Sequence, residues 1–280
     1  MILGMDSTHS FLGPLAVLHG DCPYYPDRRP TRTIFARPDS LQKSEWQTAL
    51  DMGMRRAGGA LYRPICQGCR KCLPVRIPVQ DFVPSHAQRR VWNHAKGNFE
   101  IIIGRPQVDQ ARLDLYRAYL AFQHDQELAE QDCLENYEQF LVETRVDTIE
   151  LSFRDHSGEL AGVSILDATN IALSSVYFYW GAQYRKFSLG IYSVLEEIEL
   201  CKRMGLTYYY FGYLVPDVPA MEYKGRFAPL EMWDGKDWVM LGNRNLRDER
   251  VRRQLVKSEE GAAQTDMRHF GTQEIISTTS

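Results

Sequence analysis

The sequence predicts an α+β chain, with a smaller N-terminal, cysteine-containing α/β domain ahead of a larger mixed domain. Three observations point there. From Thr148 to Phe211 the apolar pattern reads β-β-β-α-β, a meander that feeds one helix and one more strand. Ahead of that run, residues 109–145 carry two amphipathic helical patterns. Ahead of those, four of the six cysteines fall between Cys22 and Cys72, among prolines and arginines. The 280 residues, 44% hydrophobic and 25% charged, suffice for one large domain or two modest ones with a true core. The expected divisions are 1–105, 106–257 and a polar tail over 258–280 with few apolar anchors.

Each element has a local reason. Pro23, Pro26 and Pro30 lie too close together for a helix. Thr33–Ala36 is a short strand candidate. Ser44-Glu45-Trp46-Gln47 reads as a capping box. It opens a helix with Trp46, Leu50 and Met54 on one face, stopped by Gly58-Gly59. Val75–Val79 is an edge-strand candidate, Ser85–Asn93 begins a helix, and Phe99–Ile103 is a strand. Asp109 caps a helix over 109–123, whose Leu115, Tyr119 and Phe122 share a face. A second helix covers 134–145. Thr148–Phe153 and Leu160–Leu166 are strands joined by the Asp155–Gly158 hairpin turn. Ile171–Trp180 is a long strand. Gly190–Met204 is a helix closed by Gly205, and Leu206–Phe211 is the last strand.

Charge and cysteine usage narrow the function. The net charge is −3, yet residues 1–100 carry 14 Lys+Arg against 8 Asp+Glu, a balance of +6, while the remainder carries −9. A basic N-terminal part on an acidic chain suits a polyanionic partner. The apolar run Phe11–Leu18 is broken by Gly13-Pro14 and lacks a basic leader, so the expected setting is cytoplasmic, with no membrane span. Thiols stay reduced there, so the clustered cysteines need a reason other than disulfides.

Cys66, Cys69 and Cys72 have the spacing C-x2-C-x2-C on a turn containing Gly68, and Cys22 can supply a fourth sulfur. Four thiolates suit zinc or an iron–sulfur cluster. The other reading is a set of buried or reactive thiols without metal. Cys133 and Cys201 stand apart as core thiols. Arg28 and Arg29 on the Pro-rich arm and Arg89 and Arg90 after Pro84-Ser85 are candidate phosphate contacts. Tyr24, Tyr25 and Trp92 lie near them in sequence and can stack on unpaired bases. With the charge asymmetry these residues indicate an RNA partner. Ser188 and Gly190, where the long strand gives way to a helix, mark a potential anion cradle. Tyr223, Lys224 and Arg226 lie where charged and aromatic residues alternate with neither a helical nor a strand period, which indicates a functional loop.

Taken together, these segments resemble a known group. Cys22-Pro23-Tyr24, Tyr62-Arg63-Pro64 leading into the three cysteines, Phe82-Val83-Pro84-Ser85 with Gln88-Arg89-Arg90, Ser188-Leu189-Gly190, Gly212-Tyr213 and Tyr223-Lys224-Gly225-Arg226-Phe227 occur in the order found in aminoacyl-tRNA–protein transferases. Within that family the chain looks most like the bacterial aspartate/glutamate leucyltransferases, which are similar to eukaryotic arginyltransferases. Tyr25 and the spaced cysteines depart from the arginyl pattern and favour the leucyl branch. The resemblance implies a C-terminal GNAT-like fold and a zinc or iron–sulfur site at the N-terminal cysteines. It implies transfer of leucine from leucyl-tRNA to proteins that begin with Asp or Glu, in the N-degron pathway. Lys224, with Arg226, would then read the acidic first residue. The acyl ester arrives activated and the acceptor α-amine titrates at about 7.7–8.0, so no covalent nucleophile or cofactor is required. Three alternatives remain at this point. An arginyl donor needs an acidic pocket. An acetyl-CoA acetyltransferase needs a Q/R-x-x-G-x-G/A loop, which Lys186–Ile191 lacks. A non-enzymatic RNA-binding or redox-sensing protein leaves the Tyr223–Pro229 loop without a purpose.

Overall fold

The computed structural model describes residues 11–25 and 27–241; the expected tail at 258–280 lies outside them. Two sheets carry the fold. The smaller has four antiparallel strands, β1 (Leu15–Asp21), β2 (Pro30–Ala36), β3 (Arg55–Ala57) and β4 (Ala60–Pro64), in the order β1-β2-β4-β3. Helix α1 (Lys43–Asp51) covers it.

The larger sheet has eight strands. They are β5 (Leu73–Pro78), β6 (Glu100–Gly104), β7 (Thr148–Arg154), β8 (Leu160–Ala168), β9 (Ala172–Trp180), β10 (Tyr208–Leu214), β11 (Leu230–Trp233) and β12 (Trp238–Leu241). Their order is β12-β11-β5-β10-β9-β8-β7-β6. Only β9 and β10 run parallel, joined by α5 (Leu189–Arg203), and this is the β-β-β-α-β unit the sequence indicates.

The apolar pattern explains which face meets what. In Tyr208–Phe211, alternate residues point to opposite sides of the sheet. Tyr209 and Phe211 join the core with α5 and α2 (His86–Ala95), while Tyr210 joins the core of α1 and the small sheet. The meander's Val163, Ile165 and Tyr179 meet α3 (Gln110–His124) and α4 (Glu130–Tyr137). Truncating a fully buried core side chain such as Leu195 to Ala costs about 2–5 kcal/mol.

Several local expectations change. The sheets do not part at residue 105, because β5, α2 and β6 belong to the larger unit. The Val75–Val79 candidate is an interior strand between β10 and β11. Its prolines are tolerated because β11 pairs only with Val75 and Arg76, which leaves Pro74 and Pro78 outside that ladder. Helix α1 starts from Gln42, whose backbone N–H donates to Glu45, and ends at Asp51; Gly53, at φ +75°, turns the chain there. The second helix begins at Glu130 rather than 134.

Polar pins hold the two sheets together. Arg56 on β3 pairs with Asp167 on β8 at 2.8 Å, both side chains being at most 1% exposed. Arg76 on β5 lies between the rings of Tyr208 and Trp238 and pairs with Asp51 (2.9 Å) and Glu231 (2.6 Å).

Candidate active site

The ladder between β9 and β10 ends at Ser174 and Tyr210. Beyond it β9 continues to Trp180 against β8, and β10 continues past a bulge to Leu214 against β5. The strands therefore splay. The facing backbone groups from Ser175 and from Phe211 onward make no ladder with each other. A gap of this kind offers N–H and C=O groups to an inserted acyl or peptide backbone.

Two cations stand at its mouth. Arg55 reaches in from β3 of the small sheet and is 7% exposed. Its Nη1 donates to Ser174 Oγ at 3.0 Å, and its Nη2 donates to the Ser175 carbonyl, where the ladder stops. Lys224 comes from a short 3₁₀ turn, Tyr223–Arg226, that follows α6 (Pro219–Glu222). Its Nζ donates to the Tyr213 carbonyl at 2.9 Å. Phe227 fixes this turn: it is fully buried against Phe82 and Phe211, and Gln88 holds the Arg226 carbonyl at 3.2 Å. Gly212 makes room for both head groups. Its φ is +84°, and a Cβ there would lie 3.3 Å from Lys224 Nζ and 3.7 Å from Arg55 Nη2. Neither cation pairs with a carboxylate among the described residues. Burial, with Arg55 beside it, pulls the Lys224 ammonium down to about 7.

Aromatic residues line the region on the α3 side. Tyr116 and Tyr119 of α3 pack against Tyr177 and Tyr179 of β9, and Phe122 packs on Trp180. Burial pushes Tyr116 and Tyr119 up to about 12, so these phenols stay neutral. Two acids lie close by, and both are already bonded. Glu150 takes Arg112 and Ser152, and Glu197 takes Ser164 and Tyr209.

The four N-terminal cysteines meet elsewhere. Cys22, Cys66, Cys69 and Cys72 line one cavity of ≈520 Å³, with Tyr24, Tyr25 and Tyr62 in its walls. Tyr213 connects this cavity to the splay: its hydroxyl donates to Gly53 O at 3.0 Å, while its carbonyl receives Lys224. Burial, then the neighbouring thiols, pushes Cys72 up to about 12, and burial raises Cys66 as well. Among the described residues no three His, Cys, Asp or Glu side chains are disposed to hold a metal ion. The sulfurs share a cavity without converging on a point, so as disposed they do not fit zinc or an iron–sulfur cluster. Cys133 and Cys201 are buried core thiols.

The remaining sequence candidates fall on separate elements. Tyr223 is half-buried, edge-on to Phe211 beside the splay. Arg226 is exposed and makes no ion pair among the described residues. Ser188 is exposed in the left-handed region at φ +52° ahead of α5, and open space faces Gly190. Arg28 pairs with Asp21 and Arg29 with Asp27 on the β1–β2 loop. Arg89 and Arg90 are exposed on α2, which packs on α5. The two arginine pairs thus lie on different sheets' elements. Arg63, by contrast, is buried and donates to Met52 O at 2.9 Å, so it does not offer a surface phosphate contact. Arg55 is the residue sequence reasoning missed. The signal was the Arg55-Arg56 doublet, which on a three-residue strand must point to opposite sides.

Comparison with known proteins places these features. Residues 20–90 match the model for the N terminus of arginine-tRNA-protein transferase, and residues 111–234 match its C terminus. The aspartate/glutamate leucyltransferase of Nitrosococcus oceani is 36% identical over 79% of this chain and 92% of its own length. That of Thiobacillus denitrificans is 34% identical over 79% and 91%, and that of Chromobacterium violaceum 33% identical over 84% and 98%. Among solved structures, L-PGS from Bacillus licheniformis aligns at a TM-score of 0.41 and 11% identity over 74% of this chain and 70% of its own, a likeness too slight to carry an argument.

Proposed function

The chain belongs to the arginine-tRNA-protein transferase family, and from that premise we propose that it transfers leucine from leucyl-tRNA to the α-amine of proteins beginning with Asp or Glu. The observation that carries the acceptor half is the Arg55–Lys224 pair. Two half-buried or buried cations without a carboxylate partner among the described residues make a site for an anion, because a buried charge needs a counter-charge. The side chain of an N-terminal Asp or Glu supplies one. It would bridge the two head groups beside Gly212 and leave the acceptor's α-amine at the splay.

The donor half rests on the aromatic wall. A leucyl side chain suits Tyr119, Tyr177 and Phe122, whereas an arginyl side chain would need a free acid, and both nearby acids are engaged. The freed backbone groups of the splay align the ester, and the enzyme's task is alignment and stabilisation of the oxyanion. Arg89 and Arg90 on α2, with the N-terminus of α5 at Ser188 and Gly190, are the proposed phosphate contacts, joined by Arg28 and Arg29. Among the described residues no helix is long and apolar enough to cross a membrane, and the proposed tRNA substrate supports a cytoplasmic reading.

A zinc ion or iron–sulfur cluster at the four thiols would need their sulfurs to close in from the disposition seen here, and the transfer as proposed draws on neither. Metal analysis of anaerobically purified protein tests it, and zinc and iron near zero per chain remove it. The donor assignment is tested by offering labelled leucyl-tRNA and arginyl-tRNA in parallel with an Asp-led peptide. Label should move from leucyl-tRNA; movement from arginyl-tRNA alone overturns the assignment.

A further inference from the structure

Glu197 is a carboxylate in the middle of the protein. It lies on α5, 1% exposed, and no Lys or Arg pairs with it among the described residues. Its neighbours come from every element around it. Ser164 on β8 donates to Oε1 at 2.7 Å, and the Tyr209 hydroxyl on β10 donates to Oε2. Ser193, one turn earlier on α5, also faces it, as does Tyr223 from the loop. Cys201 lies one turn later on α5. Packing alone does not call for such a group, since an apolar side chain would fill the space without the cost of desolvating a charge.

The neighbouring hydroxyls lead outward. Tyr209 lies between Glu197 and Ser175, whose hydroxyl is beside the Tyr209 phenol. Ser175 is the first residue of the splay. Its carbonyl receives Arg55, one of the two cations proposed to hold the acceptor's acidic side chain. A row of three groups thus runs from the place where the acceptor amine must stand to a buried carboxylate.

We infer that Ser175, Tyr209 and Glu197 form a relay that removes the proton the acceptor α-amine loses during acyl transfer. The inference rests on the transferase reading. The neutral amine attacks the ester carbonyl and the new C–N bond forms. One N–H proton passes to Ser175 Oγ, whose own proton moves to the Tyr209 oxygen, and the Tyr209 proton moves to the Glu197 carboxylate. As the C–O bond to the tRNA breaks, the leaving 3′ oxygen takes a proton back along the same row, and Glu197 is ionised again. No oxidant, metal or covalent enzyme intermediate enters the balance. Burial pushes Glu197 up to about 7, against the opposing hydrogen bonds of Tyr209 and Ser164, so it changes protonation near cellular pH. Glu197 and Tyr209 are positioning residues here, and Ser175 is the one that meets the substrate.

The test compares Glu197→Gln and Ser175→Ala with the wild type, using leucyl-tRNA and an Asp-led peptide over a range of pH. Glu197→Gln keeps the shape and two polar atoms. It should lower kcat by about 10²-fold or more with KM for peptide and for leucyl-tRNA unchanged. The wild-type kcat profile should rise through two ionisations, one near 7 from Glu197 and a second from the bound acceptor amine. Glu197→Gln should lose the first and keep the second. Ser175→Ala, at the half-exposed end of the row, should also lower kcat at constant KM, and it serves if Glu197→Gln fails to fold. A folded Glu197→Gln with wild-type kcat and both limbs overturns the relay, as does Ser175→Ala with unchanged kcat. If the wild type transfers leucine while the variants match it, the relay alone falls. If the wild type transfers nothing, the transferase reading falls and takes the relay with it.

Discussion

Lys224→Ala removes one of the two cations at the mouth of the splay and leaves the other in place. The Lys224 ammonium now bonds one carbonyl, and a bound carboxylate would add a charge-assisted bond to it. Such bonds are worth about 1.5–3 kcal/mol. At 1.36 kcal/mol per decade this corresponds to roughly a 10- to 150-fold loss in kcat/KM for peptides led by Asp or Glu. Ala-led peptides and leucyl-tRNA binding should hardly change. The pH dependence gives a second reading. Burial and Arg55 hold the ammonium down to about 7, and a bound carboxylate favours its charged form. Binding therefore takes up a proton at pH above that value. The preference for acidic over Ala-led peptides should be strongest below pH 7. It should weaken as pH rises through it, by up to about tenfold per unit, until Arg55 alone remains. In Lys224→Ala that preference should be small and flat with pH. The assay is transfer rate against peptide concentration for Asp-, Glu- and Ala-led peptides on both sides of that pH. A variant that keeps the wild-type preference for acidic peptides refutes the assignment.

The remaining expectations concern the scaffold and the nucleic acid. Gly212→Ala, with φ at +84° and both cations inside 4 Å of the new methyl, should fold with a lowered melting temperature and lose selectivity for acidic peptides; unchanged selectivity would show that the gap needs no glycine. Asp167→Ala leaves Arg56 buried without its counter-charge and should cost about 3–5 kcal/mol in urea unfolding, whereas a loss under about 1 kcal/mol, the size of an exposed pair, contradicts the buried pin. Arg89→Ala with Arg90→Ala should weaken tRNA binding and flatten its salt dependence by about one unit of slope per lost contact; an unchanged affinity and slope would place the tRNA elsewhere.

The legible parts of the fold were those decided locally. The β7–β8 hairpin, the long β9, α5 with Gly205 behind it and β10 each carry their own period and their own turn, and together they fix the β-β-β-α-β unit. What escaped depends on distant partners. Strand β1 is mostly half-exposed to exposed and shows no apolar face, and β11 and β12 have four residues each, too short for a period. Strand β5 reads as an edge because of its prolines, and only the shortness of the β11 ladder explains why it is interior. The site divides in the same way. Lys224 was visible in a loop without period, and the structure sets it at the splay. Arg55 was hidden because its meaning lies in Ser175 and Gly212, far along the chain. The spacing of Cys66, Cys69 and Cys72, with Cys22 as a candidate fourth sulfur, led to the expectation that the four meet, and they line one cavity. Whether their sulfurs converge on a point depends on side-chain geometry, which spacing does not determine.

The most direct test of the account is to find the new bond. Asp-, Glu-, Asn- and Ala-led peptides, with an N-acetylated Asp-led control, are incubated with leucyl-tRNA and the protein, and fragmentation mass spectra locate any added residue. The account predicts one leucyl group on the α-amine of the Asp- and Glu-led peptides, little on the Asn- and Ala-led ones, and none on the acetylated control. Leucine appearing equally on all four free N-termini would contradict the reading of the acidic side chain by Arg55 and Lys224, and no addition to any peptide would contradict the transfer itself.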